Sequence, residues 1–304
     1  MTDDRIFIFG AGRAGRGLAR ALRDGGIHIT GLHGRHADAA QGITAGAPPA
    51  SLGSATCVLV TVRDAQLDGA LATLAKASLA PGSVVLHASG SADPRGLVEL
   101  RRAGHPCGTF HPLVALSDPA HAPQSLRGAW IGIDGDPEAQ EVSARLAAAL
   151  GANVLYIPPG EKPRYHAAAV FASNFPTILM CLAEELLGEA GIDPDVGRRA
   201  LHPLFASAVE NLRGGAGAGA LTGPIVRGDA DTVERHVAAL QAHPDALDAY
   251  RALSRAALRW IRERGTAGAR MAEIERLLGA TDRSPSYPTV AGTGTPTPGS
   301  RDST

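Results

Sequence analysis

Residues Arg5–Leu22 read RIFIFGAGRAGRGLARAL, and this stretch decides the fold. Ile6, Phe7, Ile8 and Phe9 form a short, wholly apolar run, the pattern of a strand buried on both faces. Gly10, Gly12 and Gly15 follow at GxGxxG spacing and enclose Arg13 and Ala14. Leu18, Ala19 and Leu22 then recur on one side of a helical stretch. The glycines have separate physical jobs. Gly10 permits a tight turn out of the strand, Gly12 lets the backbone approach a pyrophosphate, and Gly15 lets the helix pack against the sheet. Free N–H groups at the helix start suit anionic phosphates. With 37 glycines in 304 residues the spacing alone also arises by chance. Its place between strand and helix makes a dinucleotide site the expectation over a structural turn, with Gly10, Gly12, Arg13, Ala14 and Gly15 as contacts.

Outward from this unit, strand and helix patterns alternate. Apolar runs at 27–32, 56–62, 83–87, 106–110, 130–133 and 153–157 are interleaved with helical patterns at 36–45, 64–77, 93–103 and 137–150. This alternation predicts an α/β fold, a doubly wound parallel sheet with helices on both faces. Pro158-Pro159-Gly160 marks a boundary. Beyond it helical patterns dominate: one long helix over 162–189, bent near Pro176, then 194–212, 230–241, 244–264 and 267–278. The expected organisation is a nucleotide-binding domain over 1–158, an all-helical domain over 159–280, and a disordered Ser/Thr/Pro/Gly-rich tail over 281–304.

Composition narrows the class. A hydrophobic share of 44%, a charged share of 19% and a formal net charge of −1 describe a soluble globular chain. There is no basic field of the kind that nucleic acid or an anionic membrane would attract, so neither is an expected partner. Cys57, Cys107 and Cys181 lie far apart in apolar contexts, which predicts buried reduced thiols and no metal site. MTDDR leads directly into the first strand, leaving no room for a signal peptide. The apolar segment 167–187 is interrupted by Ser173, Asn174, Pro176, Glu184 and Glu185, so it reads as a core helix and not as a membrane span. A cytoplasmic protein is the expectation.

The second strand carries the choice of nucleotide. An NAD site usually places an acid about 20 residues past the glycines, where it binds the ribose 2′-OH. Here the strand runs into His33-Gly34-Arg35-His36 with no carboxylate, and Arg35 stands where a 2′-phosphate would lie. A guanidinium grips phosphate bidentately, which predicts NADP(H), although a solvated loop cation is the plainer reading of Arg35. Arg13 offers a second contact. Other strand ends point the same way: Val62 beside the nucleotide rings, and Ser89 with Gly90 beside its reactive end. His111, before Pro112, is read equally as a substrate contact or as a backbone cap.

Along 162–189, Lys162, His166 and Ser173 fall at about 0°, 40° and 20° on a helical wheel, with Asn174 flanking at about 120°. The surrounding positions are apolar. A buried Lys or His costs several kcal/mol unless it is paired, so a stripe of this kind is a candidate site. Imidazoles titrate near neutrality, which suits His166 to proton transfer, while Lys162 shares that role or stabilises an oxyanion. Ser173 and Asn174 would orient the substrate, and Arg227, in the glycine-rich stretch 214–229, is a candidate carboxylate anchor. The plainer alternative makes Lys162 an exposed helix-start residue, His166 a satisfied core histidine and Arg227 a surface cation.

These features resemble the 6-phosphogluconate dehydrogenase-like superfamily, which includes β-hydroxyacid dehydrogenases, ketopantoate reductases and pyrroline-5-carboxylate reductases. More closely, KPRYHAAAVFASN (Lys162–Asn174), VENL (Val209–Leu212) and LTGPIVRGD (Leu221–Asp229) are similar to a bacterial family of Rossmann-like oxidoreductases. That family's helical C-terminal domain is catalogued as one of unknown function. The likeness spans roughly 5–265. It implies an N-terminal Rossmann domain, a helical second domain that dimerises, and NADPH-dependent reduction of a small carbonyl or imine substrate, or the reverse oxidation. Lys162 and Asn174 stand much as in the superfamily. The β-hydroxyacid enzymes, however, space the two residues four apart, and here His166 holds that position. Two other functions fit the same sequence features: a non-catalytic NADP(H)-binding sensor, and hydride exchange between NADP and a deazaflavin.

Overall fold

The computed structural model describes residues 4–93, 95–213, 217–265 and 270–279. The tail expected over 281–304 and the start of the helix expected at 267 lie outside the described residues. Two compact units divide between Leu179 and Met180, inside a helix, whereas composition suggests a boundary at Pro158.

The first unit runs β1 (Arg5–Phe9), α1 (Arg13–Asp24), β2 (His28–His33), β3 (Ile43–Thr44), β4 (Cys57–Val60), α2 (Asp64–Ala75), β5 (Val84–His87), α3 (Gly96–Arg102), β6 (Cys107–Pro112), α4 (Ala122–Leu126), β7 (Trp130–Gly135), α5 (Pro137–Ala149), β8 (Asn153–Tyr156) and α6 (Lys162–Ala172). It ends inside α7 (Asn174–Glu189). The eight strands form one sheet in the order β3-β2-β1-β4-β5-β6-β7-β8. Successive side chains of β1 enter opposite layers. Ile6 and Ile8 pack with Leu18, Leu22 and Leu146, and Phe7 and Phe9 pack with Leu67, Leu71 and Leu100. Each such buried side chain contributes on the order of 2 kcal/mol. The chain leaves β1 outward through β2 to β3, then returns to β4 on the other side. This reversal opens a crevice at the carboxyl ends of β1 and β4, where open α/β sheets bind ligands.

Two sequence expectations need correction here. The sheet is not wholly parallel, because β7 runs antiparallel to β6, pairing Thr109 with Asp134 and His111 with Gly132. Apolar periodicity reports burial and not direction, so the reversal leaves no mark in the pattern. The helix expected over 36–45 is a short 3₁₀ turn at Ala39–Gln41 followed by β3. Asp38 accepts from the Gln41 amide and exchanges backbone hydrogen bonds with Ile43, while Gly42 takes the left-handed φ of 66° that ends the turn.

The long helix also divides. α6 closes at Ala172, and Ser173, at φ −124° and ψ −62°, separates it from α7. Pro176 then lies in the first turn of α7, where its missing N–H leaves no helical bond unmade. Nor is the segment a core helix. No residue of α7 is buried, and Phe171, Ile178 and Cys181 are exposed. By length and composition alone, Lys162–Glu189 would pass for a membrane-crossing helix. Its first turn, however, is packed on the sheet, since Lys162 is only 4% exposed.

Of the second unit, the described elements are the end of α7, α8 (Pro194–Arg213), α9 (Pro224–Arg227), α10 (Ala230–Ala239), α11 (Pro244–Glu263) and α12 (Met271–Leu277). Its core joins Ile225, Val233, Leu258, Ile261, Met271 and Ile274. Along α8 only Gly197 is buried, and Leu204, Val209 and Leu212 are exposed.

Candidate active site

The glycine loop is built as its spacing requires. Gly10 adopts φ 128°, a conformation side chains disfavour, and a Cβ there would stand 2.6 Å from the Thr61 backbone. Its amide and that of Ala11 both donate to the His33 carbonyl, at 2.8 and 3.0 Å. The Thr61 hydroxyl donates to the Gly10 carbonyl at 2.6 Å, tying β4 to the loop. A Cβ on Gly15 would overlap that carbonyl, so α1 can approach the strand only with glycine here. The first helical bond of α1 runs from Arg16 N to Gly12 O at 3.0 Å, so the amides before it have no helical acceptor. Around Gly12 a Cβ would meet nothing within 4 Å. Open space at a helix start with unspent amides is what a phosphate needs.

Beyond the loop lies a cavity of about 760 Å³. It is lined by Phe9–Ala14, His33–His36, Gly46, Thr61–Arg63, Gln66 and Leu116. Arg13, Arg35, His36 and Arg63 bring basic groups to its wall, and among the described residues no carboxylate lines it. His33 is different in kind. Its ring packs on Phe9 and its Nδ1 meets the Thr44 hydroxyl at 2.9 Å, while burial lowers its pKa. Neutral His33 belongs to the wall and not to the charge.

A second cluster gathers at the carboxyl ends of β5 and β6. The His111 and His166 rings lie 5.8 Å apart, and Tyr165 Oη stands 2.8 Å from His111 Nδ1. A Cβ on Gly90 would come within 2.8 Å of both imidazoles, so the absence of a side chain there gives them room. Ser89, 7% exposed, accepts from the Ala92 and Ser91 amides at 3.1 and 3.4 Å, so its hydroxyl shapes the turn that presents Gly90. Burial, then the neighbouring His166, lowers the His111 pKa to about 4, while Asp64 acts against them.

Lys162 is committed to an ion pair. Its ammonium donates to Asp93 Oδ1 at 2.8 Å and to the Ala92 carbonyl at 3.4 Å, and it pairs with Asp134 Oδ2 at 3.0 Å. His87 is fully buried beside it. Its Nε2 lies 3.3 Å from the Thr109 hydroxyl, and its Nδ1 has no hydrogen-bond partner among the described residues. Burial and, less strongly, Lys162 hold His87 down to about pKa 3. Between about pH 6.5, where an unfolded histidine titrates, and pH 3 the unfolded chain therefore takes up a proton that the native state refuses. Stability attributable to His87 is present above that window and falls as pH drops through it, by up to about 1.4 kcal/mol per pH unit. Urea midpoints at about pH 6.5 and 5 should thus separate in the wild type and draw together in His87→Leu. An equal separation in both proteins would remove the assignment.

The structure brings together His111 and His166, and puts Gly10, Gly12, Arg13, Ala14, Arg35 and Val62 on one cavity wall. It does not deliver the continuous polar stripe. Ser173 and Asn174 are exposed where α6 gives way to α7, about 10 Å of helix beyond His166. Arg227 is an exposed residue at the end of α9 in the second unit. Sequence reading places Gly90 at the reactive end but misses Tyr165, Arg63, Asp93 and Asp134. Only Arg63, at the end of a strand, carried a local signal.

Fold and glycine loop define the class, a Rossmann-type α/β sheet with a glycine-lined crevice at its switch point. Residues 129–257 match the family model described as a domain of unknown function (DUF2520). No curated protein matches the sequence. Among solved structures, the chain is similar to a Bacteroides fragilis protein named as a candidate NADP oxidoreductase. That match has a TM-score of 0.68 and 22% identity, covering 84% of this chain and 98% of the other. It is also similar to a Thermotoga maritima protein (TM-score 0.57, 23% identity, covering 78% of this chain and 90% of that one). A third is a reductive aminase of Aspergillus terreus solved with NADPH and ethyl levulinate (TM-score 0.58, 17% identity, covering 90% and 99%). At these identities the likeness establishes the fold.

Proposed function

We propose that this protein is an NADP(H)-dependent oxidoreductase that moves a hydride to or from a small carbonyl or imine compound of the keto/hydroxy-acid or imino/amino-acid kind. One observation carries the reading: the crevice beyond β1 and β4 has unspent helix amides, three arginines and, among the described residues, no carboxylate along its lining. A carboxylate at that wall would repel a 2′-phosphate, and a guanidinium binds it. The nicotinamide group supplies the hydride when bound. The protein's own residues supply orientation and the proton. His111 at the end of β6 stands beside His166 on α6, and Lys162, through its two carboxylates, anchors the start of that helix. The names of two structural neighbours, with NADP and with NADPH, support the same cofactor.

The test is a fluorescence titration with NADPH and NADH. Wild type should prefer NADPH, and Arg35→Ala should weaken NADPH binding about 10- to 100-fold, with little change for NADH, as the loss of a charge-assisted bidentate contact of about 1.5–3 kcal/mol implies. Equal affinity for both nucleotides in the wild type would overturn the NADP assignment. A screen of 2-oxo, 3-oxo and cyclic imino acids, followed as NADPH absorbance loss, then finds the substrate.

A further inference from the structure

Tyr165 has the site's most informative contact. Its hydroxyl stands 2.8 Å from His111 Nδ1, with the rings edge to face at 5.5 Å, and no other hydrogen bond to it occurs among the described residues. A phenol has one proton to donate, and leaving a half-buried donor without an acceptor costs about 1–3 kcal/mol. Donation from the hydroxyl to Nδ1 gives the phenol that acceptor. A neutral imidazole whose Nδ1 accepts carries its own proton on Nε2. That nitrogen faces Gly90, where a Cβ would come within 2.8 Å of it, so glycine keeps the approach open. On the other side, Gly132 admits the phenol, since a Cβ there would overlap the Tyr165 hydroxyl.

We infer that Tyr165 is a positioning residue that fixes His111 as a neutral imidazole with its Nε2–H facing the site, where it donates a hydrogen bond to a lone pair on the substrate's reacting C=O or C=N group. The inference rests on the oxidoreductase reading for the substrate, but not for the tautomer. The electrostatics agree. Burial and the His166 ring keep His111 uncharged at neutral pH, opposed by Asp64 from α2, and burial pushes the Tyr165 phenol up. His87, on the adjacent strand, is itself held neutral and adds no charge. A neutral donor recognises a carbonyl oxygen or an unprotonated imine nitrogen, and it disfavours an iminium, which offers no lone pair. His111 thereby takes the polarising role, and proton transfer falls to His166.

Long-range ¹H–¹⁵N correlation on the full chain with ¹⁵N-labelled histidine tests this, with His111→Gln giving the assignment. The expected pattern for His111 is the Nε2–H tautomer, unchanged from about pH 5.5 to 8. In Tyr165→Phe the tautomers should mix and the titration midpoint rise by about one pH unit, with a cooperative thermal transition and the NADPH titration of the wild type retained. An Nδ1–H tautomer in the wild type, a titration near neutrality, or an unaltered His111 pattern in Tyr165→Phe would overturn the assignment. If Tyr165→Phe does not fold, the wild-type tautomer decides alone. Absence of NADPH binding in the wild type would defeat the oxidoreductase reading separately, leaving the tautomer result standing.

Discussion

Gly12→Val should give a protein that melts like the wild type and binds NADPH at least about 100-fold more weakly, a loss of about 2.7 kcal/mol. The two halves of that expectation have different causes. Gly12 caps α1 at φ −75° and ψ −168°, extended backbone that valine adopts readily, and a Cβ there meets nothing within 4 Å. The fold meets neither backbone strain nor a Cβ clash from the change. The cofactor does, because the branched side chain fills the space through which a pyrophosphate reaches the amides at the start of α1. Gly15→Ala is the complementary experiment. Its methyl group would overlap the Gly10 carbonyl and press within 2.5 Å of the Thr61 hydroxyl, so it should destabilise the fold by about 1–3 kcal/mol. Denaturant midpoints and NADPH titrations on both variants separate the effects. Wild-type NADPH affinity in Gly12→Val would remove the loop from the cofactor site.

Lys162→Met should lower the unfolding free energy by about 2–3 kcal/mol. Removing one partner of a buried ion pair typically costs about 3–5 kcal/mol, because the remaining charge stays desolvated. The lower figure applies here because Asp93 keeps 68% of its side chain in water, whereas Asp134 keeps only 23%. Methionine matches the lysine stem in length, so packing changes little and the effect reports the charge. The same substitution distinguishes two roles. A lysine that served only as a proton donor would, when replaced, abolish turnover and leave the denaturant midpoint in place. A lysine that anchors α6 moves the midpoint. An unshifted midpoint would mean that the two carboxylates do not depend on it.

What the sequence makes legible is what adjacent residues encode. The glycine loop is a local pattern, since strand, turn and helix follow one another within Arg5–Leu22, and the structure reproduces it residue for residue. Arg35 is legible for the same reason, as the end of the second strand is a fixed distance along the chain. The histidine cluster is legible only in part. His111 and His166 stand out as polar residues in apolar surroundings. Tyr165 does not, because its role depends on Gly132 and His111, which the antiparallel pairing of β6 and β7 sets side by side. Lys162 draws attention as a lysine in an apolar helix, but its partners lie in the loop after β5 and on β7, and no spacing rule links them. The helix misread at 36–45 fails differently. Alanine-rich sequence favours helix locally, and Gly42 with the Asp38–Ile43 pairing overrides it.

The register between β6 and β7 has a mechanical consequence for α6. Lys162 engages Asp134, which is paired with Thr109, and one turn later Tyr165 sits against Gly132, which is paired with His111. A rod pinned at one point can still swivel; pinned at two heights it can neither swivel nor slide. Each added residue in a helix turns everything after it by about 100°, which would carry the phenol off its glycine. Changes of length just upstream, at Pro158–Gly160, must therefore be taken up as slack in that loop, with the helix and its two histidine-facing turns held in place.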